Sequence, residues 1–168
     1  MLSRLKKGAE REKALTQVNR VCVYAFDPFG GSLVNSAQTL MQKAQLPFMA
    51  VEVSDAGVRD AIASQISDKR RVLWLGQGNS ENMTIENTAH NVFEGKVMDK
   101  EKPKAVSNPL RLCIPNLSQG SHAGDFYCNK ALWEMLQNGV HGVFVHVPAK
   151  IEPSHCAVLH EILRALAN

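Results

Sequence analysis

The chain has 168 residues, 45% of them hydrophobic and 21% charged, with a formal net charge of +3. A chain this long buries roughly 70% of its unfolded surface and needs neither disulfides nor a metal to hold a core. The small charge gives no footprint for nucleic acid, and no stretch is apolar and long enough for a transmembrane helix.

The first twenty residues mix Arg4, Lys6 and Lys7 with Glu10 and Glu12. That mixture fits neither a secretory signal nor an acid-poor transit peptide. We expect residues 1–20 to be a charged, solvated helical extension and residues 21–168 to be one α/β domain, located in the cytoplasm. Cys22, Cys113, Cys128 and Cys156 form no CxxC pair. Free thiols in a reducing compartment follow, and no metal site or cofactor is expected.

Strand-like and helix-like runs alternate from Val21 onward. Val21–Phe26 (VCVYAF) is a nearly all-apolar β-prone run. Val34–Gln45 carries a helical pattern closed by Pro47, and Phe48–Val53 is strand-like. Ser54 or Asp55 caps a helix running to about Ile66, with Val58, Ile62 and Ile66 on one face. Arg71–Leu75 (RVLWL) is a buried strand ended by Gly76. The polar stretch Gly76–Lys104 predicts loops, with a short strand near Thr88–Val92. Leu110–Ile114 predicts another short strand, and Gly124–Asn138 a helix. Gly142–Val147 (GVFVHV) is strand-like, and Pro153–Ala167 is a closing amphipathic helix. Apolar strands alternating with amphipathic helices predict a three-layer α/β/α sandwich around a mostly parallel, mixed sheet. Sites in such sheets gather at the carboxyl ends of strands, here Phe26–Gly31, Gly76–Asn79 and His146–Pro148.

Cys128 falls in SHAGDFYCNKALW, where Gly124 permits a turn and Asp125 can start the helix. A thiol in a helix's first turn meets unpaired N–H groups and the positive end of the helix dipole. That environment favours thiolate and can hold an oxyanion. On local pattern alone a small buried core residue is the better reading of a lone cysteine. His146, at a strand's carboxyl end, is a candidate base or a buried hydrogen-bonded histidine. Glu86, in MTIENTAHN, is a candidate orienting carboxylate or an ordinary exposed acid. FDPFGG at Phe26–Gly31 makes a rigid turn with apolar walls, suited to a small flat ligand. The lone GQG at Gly76–Gly78 is not a dinucleotide fingerprint.

Together these segments resemble pyroglutamyl peptidase I, the pyrrolidone-carboxylate peptidase family of cysteine peptidases. The resemblance runs through AFDPFGG at Ala25–Gly31 with Asn35, then GQG at Gly76–Gly78, then Thr84, Glu86, Ala89 and Asn91. It continues through AGDFYCN at Ala123–Asn129 and VFVHVP at Val143–Pro148. It implies removal of N-terminal pyroglutamyl residues from peptides by Cys128 as nucleophile, His146 as base and acid, and Glu86 as third member. It further implies that Phe29 and Phe126 sandwich the pyrrolidone ring, that Asn35 and Gln77 contact its lactam, and that Phe26 shapes the pocket. Self-association is a trait the resemblance carries. The chain departs from the family pattern in being shorter, in having Ser36 after Asn35 in place of proline, and in having Ser80 and Lys96 where arginines are usual. These departures leave a non-catalytic or weakly active binding relative, or a hydrolase of another small amide, as alternatives.

Overall fold

The computed structural model describes residues 12–168 except positions 14 and 18. Most of the expected helical extension over residues 1–20 lies outside the described residues. In chain order the elements begin β1 (Val21–Phe26), α1 (Ser36–Ala44), β2 (Met49–Val51), α2 (Asp55–Ser67), β3 (Arg71–Gln77) and β4 (Thr84–Glu86). Short strands β5 (Thr88–His90), β6 (Val92–Phe93), β7 (Lys96–Val97), β8 (Ala105–Ser107) and β9 (Ser118–Gly120) follow. The chain closes with α3 (Tyr127–Gln137), β10 (Gly142–Val147) and α4 (Pro153–Ala167).

The central sheet has the order β2–β1–β3–β10–β4–β9. Its first four strands run parallel, β4 is antiparallel to β10, and β9 is parallel to β4. Side chains alternate across a strand, so each apolar run divides between two cores. Val23, Ala25, Leu73, Leu75, Val143 and Val145 pack with Leu40 and Met41 of α1 and Leu159 and Ile162 of α4. Cys22, Tyr24, Phe26, Val72, Trp74 and Phe144 pack with Val58 and Ile62 of α2 and Leu132 and Met135 of α3. This is the expected mixed α/β/α sandwich. Burying each large aliphatic side chain contributes about 1.5–3 kcal/mol, which explains why the interiors of β1, β3 and β10 are almost wholly apolar. The alternation fixes the site. His146 follows Phe144 by two residues, so it lies on the same sheet face as α3.

Several boundaries differ from the expectations. Helix α1 begins at Ser36, because Asn35 is its cap and accepts from the Ala37 N–H at 2.9 Å. The strand expected over Phe48–Val53 is only Met49–Val51, at the sheet's edge. The strand expected near Thr88–Val92 divides into β5, which pairs with β8, and β6, which pairs with β7. Leu110–Ile114 is not a strand. Pro109 and Pro115 bracket it, and Leu112 is buried against the core from an irregular backbone. Helix α3 begins at Tyr127 with Phe126 at its cap, not at Asp125. The Asp125 carbonyl is instead taken by the Glu94 N–H at 2.7 Å.

Candidate active site

Gly124, at φ +84, turns the chain into α3. Cys128 is then the second residue of the helix. The cap residue Phe126 makes no side-chain capping bond, so the first-turn N–H groups have no partner from the cap. Asn129 anchors this turn. Its fully buried amide accepts from the His90 N–H at 2.8 Å and donates to the carbonyls of His90 at 2.8 Å and Val92 at 2.9 Å. Truncation to alanine leaves three backbone groups without that partner. Asn129→Ala is expected to cost at least about 1–3 kcal/mol of stability, read as a lower denaturant midpoint.

The structure brings Cys128, His146 and Glu86 together. His146 Nδ1 lies 2.9 Å from Glu86 Oε1, and the carboxylate is almost wholly buried. Glu86 Oε2 accepts the His122 N–H at 3.2 Å. Burial alone pushes the imidazole pKa down. Hydrogen bonds and charge interactions with Cys128 and Glu86 outweigh burial, and the pKa rises from 6.5 to about 9. The imidazole is therefore held as imidazolium between a thiol and a carboxylate at neutral pH.

Three glycines leave room for these side chains. A Cβ on Gly76 would stand 2.9 Å from the Cys128 sulfur, and one on Gly78 would stand 2.8 Å from His146 Cβ. A Cβ on Gly120 would lie so close to the Glu86 carboxylate that one of the two must move. The GQG segment, unremarkable as a nucleotide motif, thus borders both the thiol and the imidazole.

A cavity of about 170 Å³ opens on the thiol, lined by Phe26, Phe29, Asn35, Gln77, Phe126 and Cys128 among others. Phe26 is buried beneath it against Trp74, whereas Phe29 and Phe126 are 60% and 52% exposed at its mouth. Asn35 lines the cavity, and its amide also ties α1 to the loop after β1. Its oxygen caps α1 and its nitrogen donates to the Asp27 carbonyl at 3.1 Å. Gln77 is held through its oxygen by the Ser36 N–H at 3.0 Å. Ser80 lies in the exposed loop after β3, and Lys96 is exposed on the β6–β7 hairpin. Sequence reasoning missed the His122 N–H, the Asn129 anchor and the room left by Gly120. Only Asn129 had a side-chain signal, a polar residue beside Cys128 on the inner turn of a helix. Among the described residues no group of three His, Cys, Asp or Glu side chains could hold a metal ion. No helix among them is long and apolar enough to cross a membrane.

A thiol at a helix N-terminus, beside an imidazole backed by a buried carboxylate, defines the cysteine hydrolase class. Comparison with known proteins narrows the class. No protein-family model matches the chain. It is 25% identical to the pyrrolidone-carboxylate peptidase of Enterococcus faecalis, covering 77% of this chain and 78% of that one. It is 27% identical to that of Yersinia pestis, covering 78% and 79%. The fold is similar to that of pyroglutamyl peptidase I from Bacillus amyloliquefaciens, with a TM-score of 0.72, 18% identity and coverage of 88% of this chain and 96% of that one. The pyrrolidone carboxyl peptidase of Thermus thermophilus gives 0.68, 18%, 88% and 100%. The chain is thus similar in sequence to pyrrolidone-carboxylate peptidases and shares their fold.

Proposed function

We propose that this protein is a cysteine peptidase that hydrolyses the amide bond after an N-terminal pyroglutamyl residue. The observation that supports this reading above others is the convergence of Cys128, His146 and Glu86 at the mouth of an aromatic cavity. The pyrrolidone ring enters between Phe29 and Phe126 and lies over Phe26. The thiolate attacks the scissile carbonyl. The first-turn N–H groups of α3 receive the oxyanion, and the His146 imidazolium protonates the departing amine. The neutral imidazole then takes a proton from water, which hydrolyses the thioester. Glu86 keeps the imidazole in one orientation and stabilises its charge.

Residues 21–168 act here as one catalytic domain. Four free cysteines suit a reducing cytoplasm, and self-association is part of the reading. The test is a fluorogenic pyroglutamyl amide against its prolyl counterpart. We expect hydrolysis of the first and little of the second, because proline lacks the ring carbonyl. Turnover only of other small amides would support a different amidohydrolase. Binding of pyroglutamate without any turnover would support a non-catalytic relative.

The glycine beneath the thiol gives a second test. An alanine methyl at Gly76 meets the Cys128 sulfur at 2.9 Å and the Phe144 ring at 2.8 Å. The Phe144 ring is fully buried, so the methyl must displace both ring and sulfur at a cost of about 1–3 kcal/mol of stability. Gly76→Ala is expected to lower kcat/KM about 100-fold, the cost an ångström-scale misplacement can carry. Steady-state kinetics at a temperature where the variant's melting curve shows it folded checks this.

A further inference from the structure

Gln77 ends β3 and lines the same cavity as Cys128, its side chain on the α1 side of the sheet with Leu73 and Leu75. An exposed glutamine amide would flip between two nearly equivalent states, presenting either its oxygen or its nitrogen. Here one state is selected. Ser36 is the first residue of α1, so its N–H has no intrahelical acceptor. Asn35 already serves the Ala37 N–H. Ser36 is buried at 4% exposure, so water is a poor substitute, and its N–H donates to Gln77 Oε1 at 3.0 Å. The flipped amide would set an NH2 group against that N–H, two donors facing each other. The partial positive charge of the helix N-terminus adds to the preference for oxygen at that position.

We infer that Ser36 is a specificity-positioning residue whose backbone N–H locks the Gln77 amide, leaving Nε2 to donate to a ring carbonyl in the cavity. The lock rests on the pyroglutamyl reading of the pocket and adds its polarity. The site reads an acceptor on the ring, not merely a flat apolar shape. A lactam carbonyl satisfies Nε2, and a pyrrolidine ring leaves it without a partner.

Proline at position 36 deletes the N–H and, with the hydroxyl, the bond to the Val147 carbonyl at 3.4 Å, a loss that Ser36→Ala shares. Proline is favoured at the first helical position. The preceding residue, Asn35, already has φ −115 and ψ 128, the extended conformation that a following proline requires. Ser36→Ala keeps the N–H and serves as the control. Gln77→Glu keeps an acceptor for Ser36 but turns a second acceptor toward the ligand.

The experiment measures 2-pyrrolidone binding by calorimetry on Cys128→Ala protein carrying each change, and KM and kcat for a pyroglutamyl amide on the Cys128 enzyme. Ser36→Pro is expected to weaken binding about three- to tenfold, the span of one net hydrogen bond, and to raise KM while kcat stays within about twofold. Ser36→Ala is expected to match the parent, and Gln77→Glu to bind at least about tenfold more weakly whether or not the proline variant folds. Parent-like binding by folded Ser36→Pro or by Gln77→Glu, equal losses in Ser36→Ala and Ser36→Pro, or no pyrrolidone binding by the parent would each overturn the lock. Pyrrolidone binding without pyroglutamyl turnover would remove the peptidase reading and leave the lock. Normal turnover with an unchanged Ser36→Pro variant would do the reverse.

Discussion

Cys128→Ser is expected to leave the fold and the ligand pocket intact while lowering kcat about 10⁴- to 10⁶-fold, the range seen when a hydrolase loses its nucleophile. Serine replaces sulfur with oxygen at the same helix position, so the backbone and the aromatic cavity need not change. The chemistry changes completely. An alcohol holds its proton far more tightly than a thiol, so the serine supplies almost no alkoxide at neutral pH. The exchange also removes the sulfur that does most to raise the His146 pKa, leaving Glu86 alone against burial, so the imidazolium is held less firmly in the variant. Cys128→Ala removes the nucleophile outright and should be equally inactive, with 2-pyrrolidone binding preserved. Paired kinetics and calorimetry check this. Substantial turnover by either variant would assign the reaction to another group.

The three central strands are legible in the sequence because both of their faces are buried, which leaves continuous apolar runs at Val21–Phe26, Arg71–Leu75 and Gly142–Val147. Strands β4 and β9 are not. Thr84–Glu86 and Ser118–Gly120 have three residues each, and their partners β10 and β4 set their conformation more than their own propensities do. Leu110–Ile114 misleads for the opposite reason. Its apolar side chains reach the core, but its backbone has no ladder to join.

The candidate site divides in the same way. Cys128, His146 and Glu86 are chemically distinctive and lie in recognisable motifs. Their supports are backbone groups and empty space. The His122 N–H on Glu86 and the room left by Gly76, Gly78 and Gly120 depend on how strands pass one another. Asn35 carries a second role that its position makes legible: an asparagine directly before a helical run is a capping signal, and its oxygen caps α1 while the residue also lines the cavity.

Glu86 has the next largest predicted effect, and it shows how these hidden supports act. Glutamine in its place keeps the shape but owns one acceptor and one donor. Two N–H groups face the carboxylate, His146 Nδ1–H on Oε1 and the His122 N–H on Oε2. One amide cannot accept both without turning its NH2 toward one of them. Either the imidazole loses its orienting acceptor or a backbone N–H meets a donor. Glu86→Gln is therefore expected to lower kcat/KM about 10³- to 10⁴-fold, comparable with the same exchange in other nucleophile–His–acid sites.

The pH dependence carries a sign. Loss of the carboxylate charge lowers the His146 pKa, because that charge stabilises the imidazolium. In the parent, kcat/KM should fall above pH about 9, where the imidazolium loses the proton the leaving amine needs. In Glu86→Gln that alkaline limb should move to lower pH.

Folding stability follows the same proton. A folded pKa above the unfolded 6.5 means the stabilisation is complete below pH 6.5 and is lost as pH rises through about 9. The slope from this one group is at most about 1.4 kcal/mol per pH unit. Denaturant midpoints between pH 6 and 10 should therefore decline in the parent and decline less in Glu86→Gln. An alkaline limb that stays in place in Glu86→Gln would separate Glu86 from the imidazole's proton and leave it only a packing role.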